Sequence, residues 1–175
     1  IVKNDGEINT GGINANGFNK IVLSSEGVLQ NASTFNLFQI YSEINNTIEQ
    51  NDGKIVVLLN KNLLIRYNTD GNTDNAFGTN GILDLNTVLS GIQVTNLAKQ
   101  PDGKIILYPR DISTELYRIN VDGTLDTTFG TNGILDTSQL LNNPTLVIEN
   151  VAFSNDNKIL VSCFNYGLIS PAILK

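Results

Sequence analysis

The sequence predicts an all-β fold built from repeated antiparallel sheet units. The main observation is a long segment, RYNTDGNTDNAFGTNGILDL at residues 66–85, which recurs as RINVDGTLDTTFGTNGILDT at residues 118–137. Short apolar runs separated by Asp-Gly pairs make up most of the remaining repeat, and no run shows the spacing of an amphipathic helix. The sequence therefore predicts a repeat protein made of strands and tight turns.

A second marker precedes the long segment and fixes the spacing of the units. It reads QNDGKIVVL from residue 50, QPDGKIILY from residue 100 and, in a less regular copy, SNDNKILVS from residue 154. The marker lysines are Lys54, Lys104 and Lys158. A fourth candidate, NGFNKIVL, places Lys20 only 34 positions before Lys54, which predicts a shorter first unit without the long hairpin.

These markers divide a single domain into about four units. We place the units at roughly residues 14–45, 46–93, 94–146 and 147–175. Residues 1–13 then complete either a preceding sheet or the last one. The chain begins at an isoleucine and contains no methionine, so we expect a processed product or a segment of a longer polypeptide.

Each unit is expected to hold four short strands. The Asp-Gly pair of the marker makes a tight turn, because glycine accepts a positive φ. The runs KIVVLL and KIILYP that follow are apolar at odd and even positions alike, which is typical of strands buried on both faces. Residues 24–48 fit a strand or a helix by pattern, and the repeat favours a strand. Further strands are predicted at residues 63–68, 94–100, 115–120 and 147–154.

Stacked sheets with doubly buried middle strands predict a β-propeller-type array. Four antiparallel strands and a period of 50 to 54 residues fit a propeller blade, whereas a right-handed β-helix needs a shorter period and parallel strands. The array is either a partial propeller, open or completed by other chain segments, or a small closed ring. A closed ring of four blades requires residues 1–13 to pair with the sheet of residues 147–174.

The two markers together resemble the delta-60 repeat family of bacterial propeller-like repeats. The pattern QPDGKI, followed by R(Y/I)NxDGxxDxxFGxxGI, is close at residues 50–85 and 100–137, recognisable at residues 154–162 and poor before residue 50. The resemblance implies a β-propeller-like fold within a large secreted, cell-surface or virion-associated protein. It implies no common enzymatic activity and no catalytic residues.

Composition excludes several kinds of partner and site. A net charge of −6, with only 11 lysines and arginines scattered along the chain, argues against nucleic-acid binding. The absence of histidine removes the commonest general base and metal ligand. Cys163 stands alone in an apolar run, so we expect a buried, unreactive thiol. No run is long enough to cross a bilayer, and we expect no cofactor and no membrane insertion.

The Asp-Gly motif of the long segment allows two interpretations. Oxygen-bearing residues two apart, Asn68 and Asp70, followed by glycine, resemble the start of a calcium loop. However, Thr79 stands where an EF-hand needs a bidentate acid. We favour the alternative, in which Asp70 and Asp122 accept hydrogen bonds from the backbone of their own turns.

Arg66 and Arg118 stand at equivalent positions in apolar strands. They could line an anion site, or each could have a structural partner inside its own unit, either the acid Asp74 or Asp126 or a neighbouring carbonyl. Because the arrangement repeats, we favour the structural partner, as in the pairs Arg66–Asp74 and Arg118–Asp126.

Unrepeated residues are better candidates for recognition, because a residue present in every unit is explained by the fold of that unit. Aromatic side chains on loops suit sugars or protein partners. An Arg-Asp pair between two predicted strands is the most site-like pair of charges. The candidate interaction residues are Phe35, Phe38, Tyr41, Tyr108, Arg110, Asp111 and Tyr166.

The sequence predicts no enzyme. Most acids recur once per unit, whereas the carboxylates of a glycoside hydrolase form a single pair in one cleft. We expect a non-catalytic binding or scaffolding module of a bacterial secreted or cell-surface protein, with other protein chains or surface glycan as partners. The alternatives are a structural component of a phage virion or tail and, with least support, a glycan-processing enzyme. The unrepeated acids are Glu26, Glu43, Glu49, Asp111, Glu115 and Glu149.

Overall fold

The structure, a computed structural model, describes residues 8–14, 17–36, 43–89, 91–109, 113–141, 146–165 and 172–174. These residues form a nearly all-β fold of four antiparallel sheets, which confirms the predicted fold class. The strands are β1 (Ile8–Asn14), β2 (Gly17–Leu23), β3 (Leu29–Asn36), β4 (Ile44–Glu49), β5 (Ile55–Leu59), β6 (Leu63–Tyr67), β7 (Ile82–Asp84), β8 (Asn96–Lys99), β9 (Ile105–Tyr108), β10 (Glu115–Ile119), β11 (Ile134–Asp136), β12 (Leu146–Phe153), β13 (Ile159–Asn165) and β14 (Ala172–Leu174).

The sheets follow one another in chain order, and consecutive strands are neighbours within each sheet. The first sheet holds β1 to β3, the second β4 to β7, the third β8 to β11 and the fourth β12 to β14. The second and third sheets therefore have the four strands that the repeat predicts. Their first strands and that of the fourth sheet begin at residues 44, 96 and 146, within two residues of the predicted unit starts.

The core lies between neighbouring sheets, and the second strand of each complete unit supplies its centre. Every residue of β5 and β9 is buried, as their uniformly apolar sequences predict. Val56 and Leu58 of the second sheet pack in one cluster with Ile105 and Leu107 of the third. Complete burial of each such side chain contributes roughly 1.5–3 kcal/mol of transfer free energy. A strand buried on both faces is thus explained by a sheet stacked on either side.

Turn type and strand order correct the prediction for the N-terminal residues. The turn at residues 24–28, after β2, has the same backbone bonds as the turns at residues 50–54 and 68–72, which follow a first and a third strand. A first strand has a partner on one side only, whereas β2 has partners on both sides, so β2 is a third strand and β1 a second strand. Ile8, which pairs with Leu23, is then the counterpart of Ile55, which pairs with Tyr67. The prediction that residues 1–13 complete a preceding or the last sheet is therefore wrong for the part that the structure describes, because that part pairs with β2.

The turn after β2 supports this assignment. Leu23 pairs with Leu29 across its turn, as Tyr67 pairs with Thr73 across the Asp-Gly turn of the second unit. β3 continues directly from that pairing as a long strand. It does so because the first unit lacks the FGTNG sequence, which diverts the chain in the two complete units.

Lys20 is accordingly not a copy of the marker lysine. It lies within the third strand of its unit, and its ammonium nitrogen is 2.9 Å from the Glu49 carboxylate on β4. The predicted alignment of Lys20 with Lys54 is therefore wrong. The letters NKIVL resemble the marker, but the turn type and strand order show that Ile8 is the counterpart of Ile55.

Register also decides how the fourth sheet relates to the others. Val161 pairs with Leu174 as Leu107 pairs with Tyr117 in the third sheet, so β14 is a third strand. The described part of the fourth sheet is β12-β13-β14. A four-bladed ring closed by the N-terminal strand is contradicted, because residues 8–14 belong to the first sheet.

Short helical segments occupy two connections between sheets. Leu85–Thr87 form a 3-10 turn in which the Asn86 N–H donates to the Asp84 side chain, and α1 spans Thr137–Leu141. In the stretch at residues 24–48, which fits strand or helix by pattern, the described residues include two strands, β3 and β4. Within the described ranges, no helix has the length and apolar character that a bilayer crossing requires.

Candidate interaction site at the turn end of the sheets

Two turns of each complete unit lie at the same end of its sheet, which we call the turn end. In an antiparallel sheet, the connections between strands one and two and between strands three and four must share one end. In the second unit these turns are residues 50–54 and 68–72, and in the third unit residues 100–104 and 120–124. The repeated Asp-Gly pairs are therefore collected at the turn end.

The aspartates of the long segment cap their own turns. The Asp70 carboxylate accepts from the backbone N–H of Asn72 at 2.9 Å, and the Asp122 carboxylate accepts from that of Thr124 at 2.9 Å. The glycine after each aspartate has φ +89°, a conformation that other residues rarely adopt. The turn interpretation of the motif is confirmed. Among the described residues, no three side chains of the acid, thiol or imidazole type are grouped so that they could hold a metal ion.

A lysine, an aspartate and an arginine meet beneath the turns of the second unit, and we call them the second-unit charge cluster. The Asp74 carboxylate accepts from Arg66 Nε at 2.7 Å and lies 2.9 Å from Lys54 Nζ. Burial alone would raise the pKa of Asp74. Its hydrogen bonds to Lys54 and the Ala76 amide, with the charge of Arg66, outweigh burial and lower the pKa below its usual value. The predicted Arg66–Asp74 pair is thus confirmed.

The third unit repeats this arrangement as the third-unit charge cluster. The Asp126 carboxylate lies 2.7 Å from both Arg118 Nε and Lys104 Nζ, which confirms the predicted Arg118–Asp126 pair. The hydrogen bond from Lys104 is the strongest of the influences that hold the pKa of Asp126 well below its usual range. The guanidinium carbon of Arg118 stands 4.4 Å from the centre of the Phe129 ring, a cation–π contact. The marker lysine Lys104 and the phenylalanine of the FGTNG sequence, Phe129, therefore belong to the same repeated group of interacting side chains.

The second unit uses its arginine a second time, to hold the third unit. Arg66 Nη1 donates to the backbone carbonyl of Val121, and the N–H of Gly78 donates to the carbonyl of Asp122 at 2.8 Å. A side chain on Gly123 would place its Cβ only 2.6 Å from the Gly78 nitrogen. We call the Arg66 guanidinium and the Gly78 N–H the second-sheet socket, because together they receive an Asp-Gly turn.

A shallow pocket of about 210 Å³ opens at the turn end, between the marker turns of the second and third units. Two side-chain bonds hold its walls together. Gln50 Nε2 donates to the Gly103 carbonyl at 3.2 Å, and Asn51 Nδ2 donates to the Pro101 carbonyl at 3.1 Å. The pocket is lined by Gln50, Asn51, Asp52, Pro101, Asp102, Gly103 and Val121.

Exposed carboxylates surround this pocket and continue along the turn end. Each belongs to a turn of one unit, and the exposed set is Glu26, Asp52, Asp70, Asp102, Asp122 and Asp156. Hydrogen bonds from neighbouring turn residues lower the pKa of four of them, Glu26, Asp70, Asp122 and Asp156. The turn end therefore carries negative charge at neutral pH and in mild acid.

Two of the aromatic residues predicted for recognition belong to the core. Phe35 is 1% exposed, and its ring meets that of Tyr67 edge to face at 5.6 Å between centroids. Tyr108 is 5% exposed and packs in the cluster between the third and fourth sheets. We correct their assignment, since buried rings do not offer a surface to a partner. The other predicted residues lie outside the described ranges: Phe38, Tyr41, Arg110, Asp111 and Tyr166.

Two of the unrepeated acids make structural contacts. Glu49 pairs with Lys20 between the first and second sheets, and Glu115 accepts from the Tyr117 hydroxyl in the third sheet. Burial, followed by the bond to Glu115, raises the pKa of Tyr117. Glu49 and Glu115 are thus bound to different partners in different sheets.

Sequence reasoning missed the pocket residues Gln50 and Asn51. The available signal was the marker itself, because a glutamine precedes the turn in both complete units. The glutamine and asparagine side chains of the second-unit marker join that unit to the next. The glutamine recurs as Gln100, whereas Pro101 takes the place of the asparagine in the third unit.

Comparisons with known proteins agree with this architecture. A family model described as "Domain of unknown function (DUF5122) beta-propeller" matches residues 111–129, the segment that includes β10 and the Asp-Gly turn of the third unit. The chain thus carries a propeller-type repeat over that short segment. No curated protein sequence shows significant similarity to the chain.

Solved structures with similar folds have little sequence identity to this chain. A protein of unknown function from Bacteroides caccae superposes with a TM-score of 0.67 at 8% identity, covering 96% of this chain and 56% of its own. Streptogramin B lyase has a TM-score of 0.61 at 16% identity, covering 100% and 53%. YCF48 bound to D1 peptide has a TM-score of 0.54 at 10% identity, covering 87% and 45%. The chain spans about half the length of these proteins, and the likeness establishes a β-propeller-type fold.

Proposed function

We propose that this chain is a non-catalytic binding or scaffolding module that contacts other protein chains or surface glycan. The observation that carries the proposal is the use of its charged residues. The carboxylates and cations of the two charge clusters are repeated and bonded to one another inside their units. Groups engaged in this way stabilise their units and are poorly placed to act as acid, base or nucleophile.

The turn end is the surface that we assign to the partner. Its pocket combines backbone carbonyls and side-chain amides with Pro101 and the half-exposed Val121. The surrounding carboxylates favour a partner that brings lysine, arginine or many hydroxyl groups, because such groups pair with carboxylates by charge or hydrogen bond. A basic protein segment or a glycan fits this chemistry.

The setting of the module is part of the proposal. The repeat pattern resembles the delta-60 family, and on that resemblance we place the chain in a bacterial secreted or cell-surface protein. A structural role in a phage virion or tail is the alternative. Fold likeness alone does not separate binding from catalysis, since a lyase and a peptide-bound protein are both among the similar structures. A glycan-processing activity has the least support.

Binding to immobilised basic peptides and bacterial surface glycans, measured with the purified chain, tests the proposal. A double variant, Asp52→Asn with Asp102→Asn, removes two pocket charges, and we expect it to weaken binding at least about tenfold, a change of about 1.4 kcal/mol. Glu43→Gln changes an exposed acid just before β4, at the other end of the second sheet, and is the matched control, which should bind as the unmodified chain does. Equal loss in both variants, or turnover of an oligosaccharide, would overturn the proposal.

A further inference from the structure

The third sheet carries a copy of the second-sheet socket. Arg118 holds its aspartate through Nε at 2.7 Å and lies over a phenylalanine ring, as Arg66 does. Gly130 has φ +56°, and Gly78 in the second sheet has φ +55°. The two sockets therefore have the same donors in the same local conformation.

Occupancy distinguishes the two sockets. The second-sheet socket holds the turn at residues 121–123, and the Arg66 side chain is only 4% exposed. The Arg118 side chain is 18% exposed. Within the described ranges, no carbonyl accepts from the terminal nitrogens of Arg118 or from the N–H of Gly130. With respect to the residues that the structure describes, the third-sheet socket is thus preformed and unoccupied.

We propose that the third-sheet socket binds an Asp-Gly turn that follows a third strand at the position of β14, as the second-sheet socket binds the turn that follows β10. The filled socket defines what the ligand must offer. It needs a carbonyl before the aspartate for the guanidinium, the aspartate carbonyl for the glycine N–H, and a glycine at the point of closest approach. This site is distinct from the 210 Å³ pocket, and the inference does not rest on the proposed function.

Backbone geometry makes the ligand specific. In the second-sheet socket, a Cβ on the turn glycine would lie 2.6 Å from a backbone nitrogen and 3.1 Å from the Phe77 ring. Real Cβ atoms do not approach another atom to 2.6 Å, and a contact of 3.1 Å is already tight, so only glycine fits without displacing the turn. The equivalent glycine of any turn entering the third-sheet socket faces the same requirement, because Phe129 and Gly130 repeat Phe77 and Gly78.

A peptide titration tests the site. The probe is a backbone-cyclised peptide with the sequence of residues 117–126, added to the isotopically labelled chain and followed by amide NMR. We expect the Gly130 amide to shift and to exchange with solvent more slowly as peptide is added. The Gly78 amide, already bonded, is the internal control and should not move.

Two further measurements make the result decisive. A peptide in which the turn glycine is replaced by valine should leave the Gly130 amide unshifted, and this control needs no change to the protein. Arg118→Met keeps the contact with Phe129 but lacks the guanidinium donors, and should abolish the shift while the spectrum stays dispersed. The inference is overturned if both peptides shift Gly130 equally, if neither does, or if inorganic phosphate alone gives the same shift.

Discussion

Arg66 on β6 donates to the backbone carbonyl of Val121, which lies 55 residues further along the chain in the next unit. The same guanidinium is bonded to Asp74 inside its own unit. One side chain therefore ties a hairpin together and also fastens the neighbouring sheet. Arg118, its counterpart in the third unit, performs the first of these tasks among the described residues.

This difference predicts unequal costs for the same substitution. Arg66→Met should lower the free energy of unfolding by about 3 kcal/mol, because it leaves a buried carboxylate with one cationic partner and removes a bond between units. Arg118→Met should cost only about 1–2 kcal/mol, since its side chain is more exposed and, among the described residues, holds no neighbouring unit. Urea denaturation of the two variants measures both values. Equal losses would show that the contact to Val121 carries no stability.

Gly123 should be far less tolerant of a side chain than Gly27. Both have positive φ, but a Cβ at Gly27 would meet no atom within 4 Å, whereas one at Gly123 would press on the Gly78 nitrogen. We expect Gly27→Ala to cost about 1 kcal/mol through backbone strain alone and Gly123→Ala about 3 kcal/mol or more. Thermal and urea unfolding of the two variants measure both costs, and their difference gives the cost of displacing the turn at residues 121–123 from the second-sheet socket. A Gly123→Ala variant as stable as Gly27→Ala would contradict the close approach.

Stability should fall only in strong acid. The pKa values of Asp74 and Asp126 are lower in the folded chain than their usual value, so the native state binds fewer protons than the unfolded chain. Their contribution is complete above the unfolded pKa, near about 3.9, and is lost as pH falls through the folded values. The melting temperature should be nearly constant from about pH 8 to pH 5 and drop below about pH 4.

Variants identify which carboxylates cause the melting temperature to fall in acid. Asp126→Asn should lower the melting temperature at pH 7 and flatten its fall below about pH 4, because the titrating group has been removed. Asp52→Asn, at an exposed acid, should change the melting temperature little at any pH. If the melting temperature of Asp126→Asn fell as steeply below about pH 4 as that of the unmodified chain, the third-unit charge cluster would not be the source of the fall.

The thiol of Cys163 should be protected in the folded chain. The side chain is 1% exposed in the cluster between the third and fourth sheets, and burial raises its pKa, with a bond from Thr137 acting in the opposite direction. We expect a thiol-specific reagent to react at least about a hundredfold more slowly with the native chain than with the chain in urea. Fast labelling without unfolding would mean that the third and fourth sheets separate readily.

The strands of the two complete units could be predicted from sequence because local signals agreed with one another. Apolar runs such as those that form β5 and β9, bounded by Asp-Gly pairs, fix both the strand and its burial. The pairs Arg66–Asp74 and Arg118–Asp126 followed from repetition alone. These features depend on neighbours within one unit, so a single repeat contains enough information.

The prediction for the first unit is wrong because its sequence and its strand pairing indicate different alignments with the second unit. Lys20 with the following IVL imitates the marker, whereas Ile8 is the true counterpart of Ile55 by pairing. Register depends on which strands meet, and the degenerate first unit offers no Asp-Gly pair after β2 to reveal it. The contact from Arg66 to Val121 was beyond prediction for a similar reason, since it exists only once the sheets have stacked.

The junction between the second and third units has a consequence for how such chains change over evolutionary time. Its socket contact is made from backbone carbonyls, a backbone N–H and the bare face of a glycine, with one arginine contributing its side chain. None of these groups distinguishes one neighbour from another. A duplicated, deleted or exchanged unit that keeps its arginine and its Asp-Gly turn can therefore form the socket contact with a new neighbour, and only the apolar cluster and the pocket side chains of the junction need to be matched.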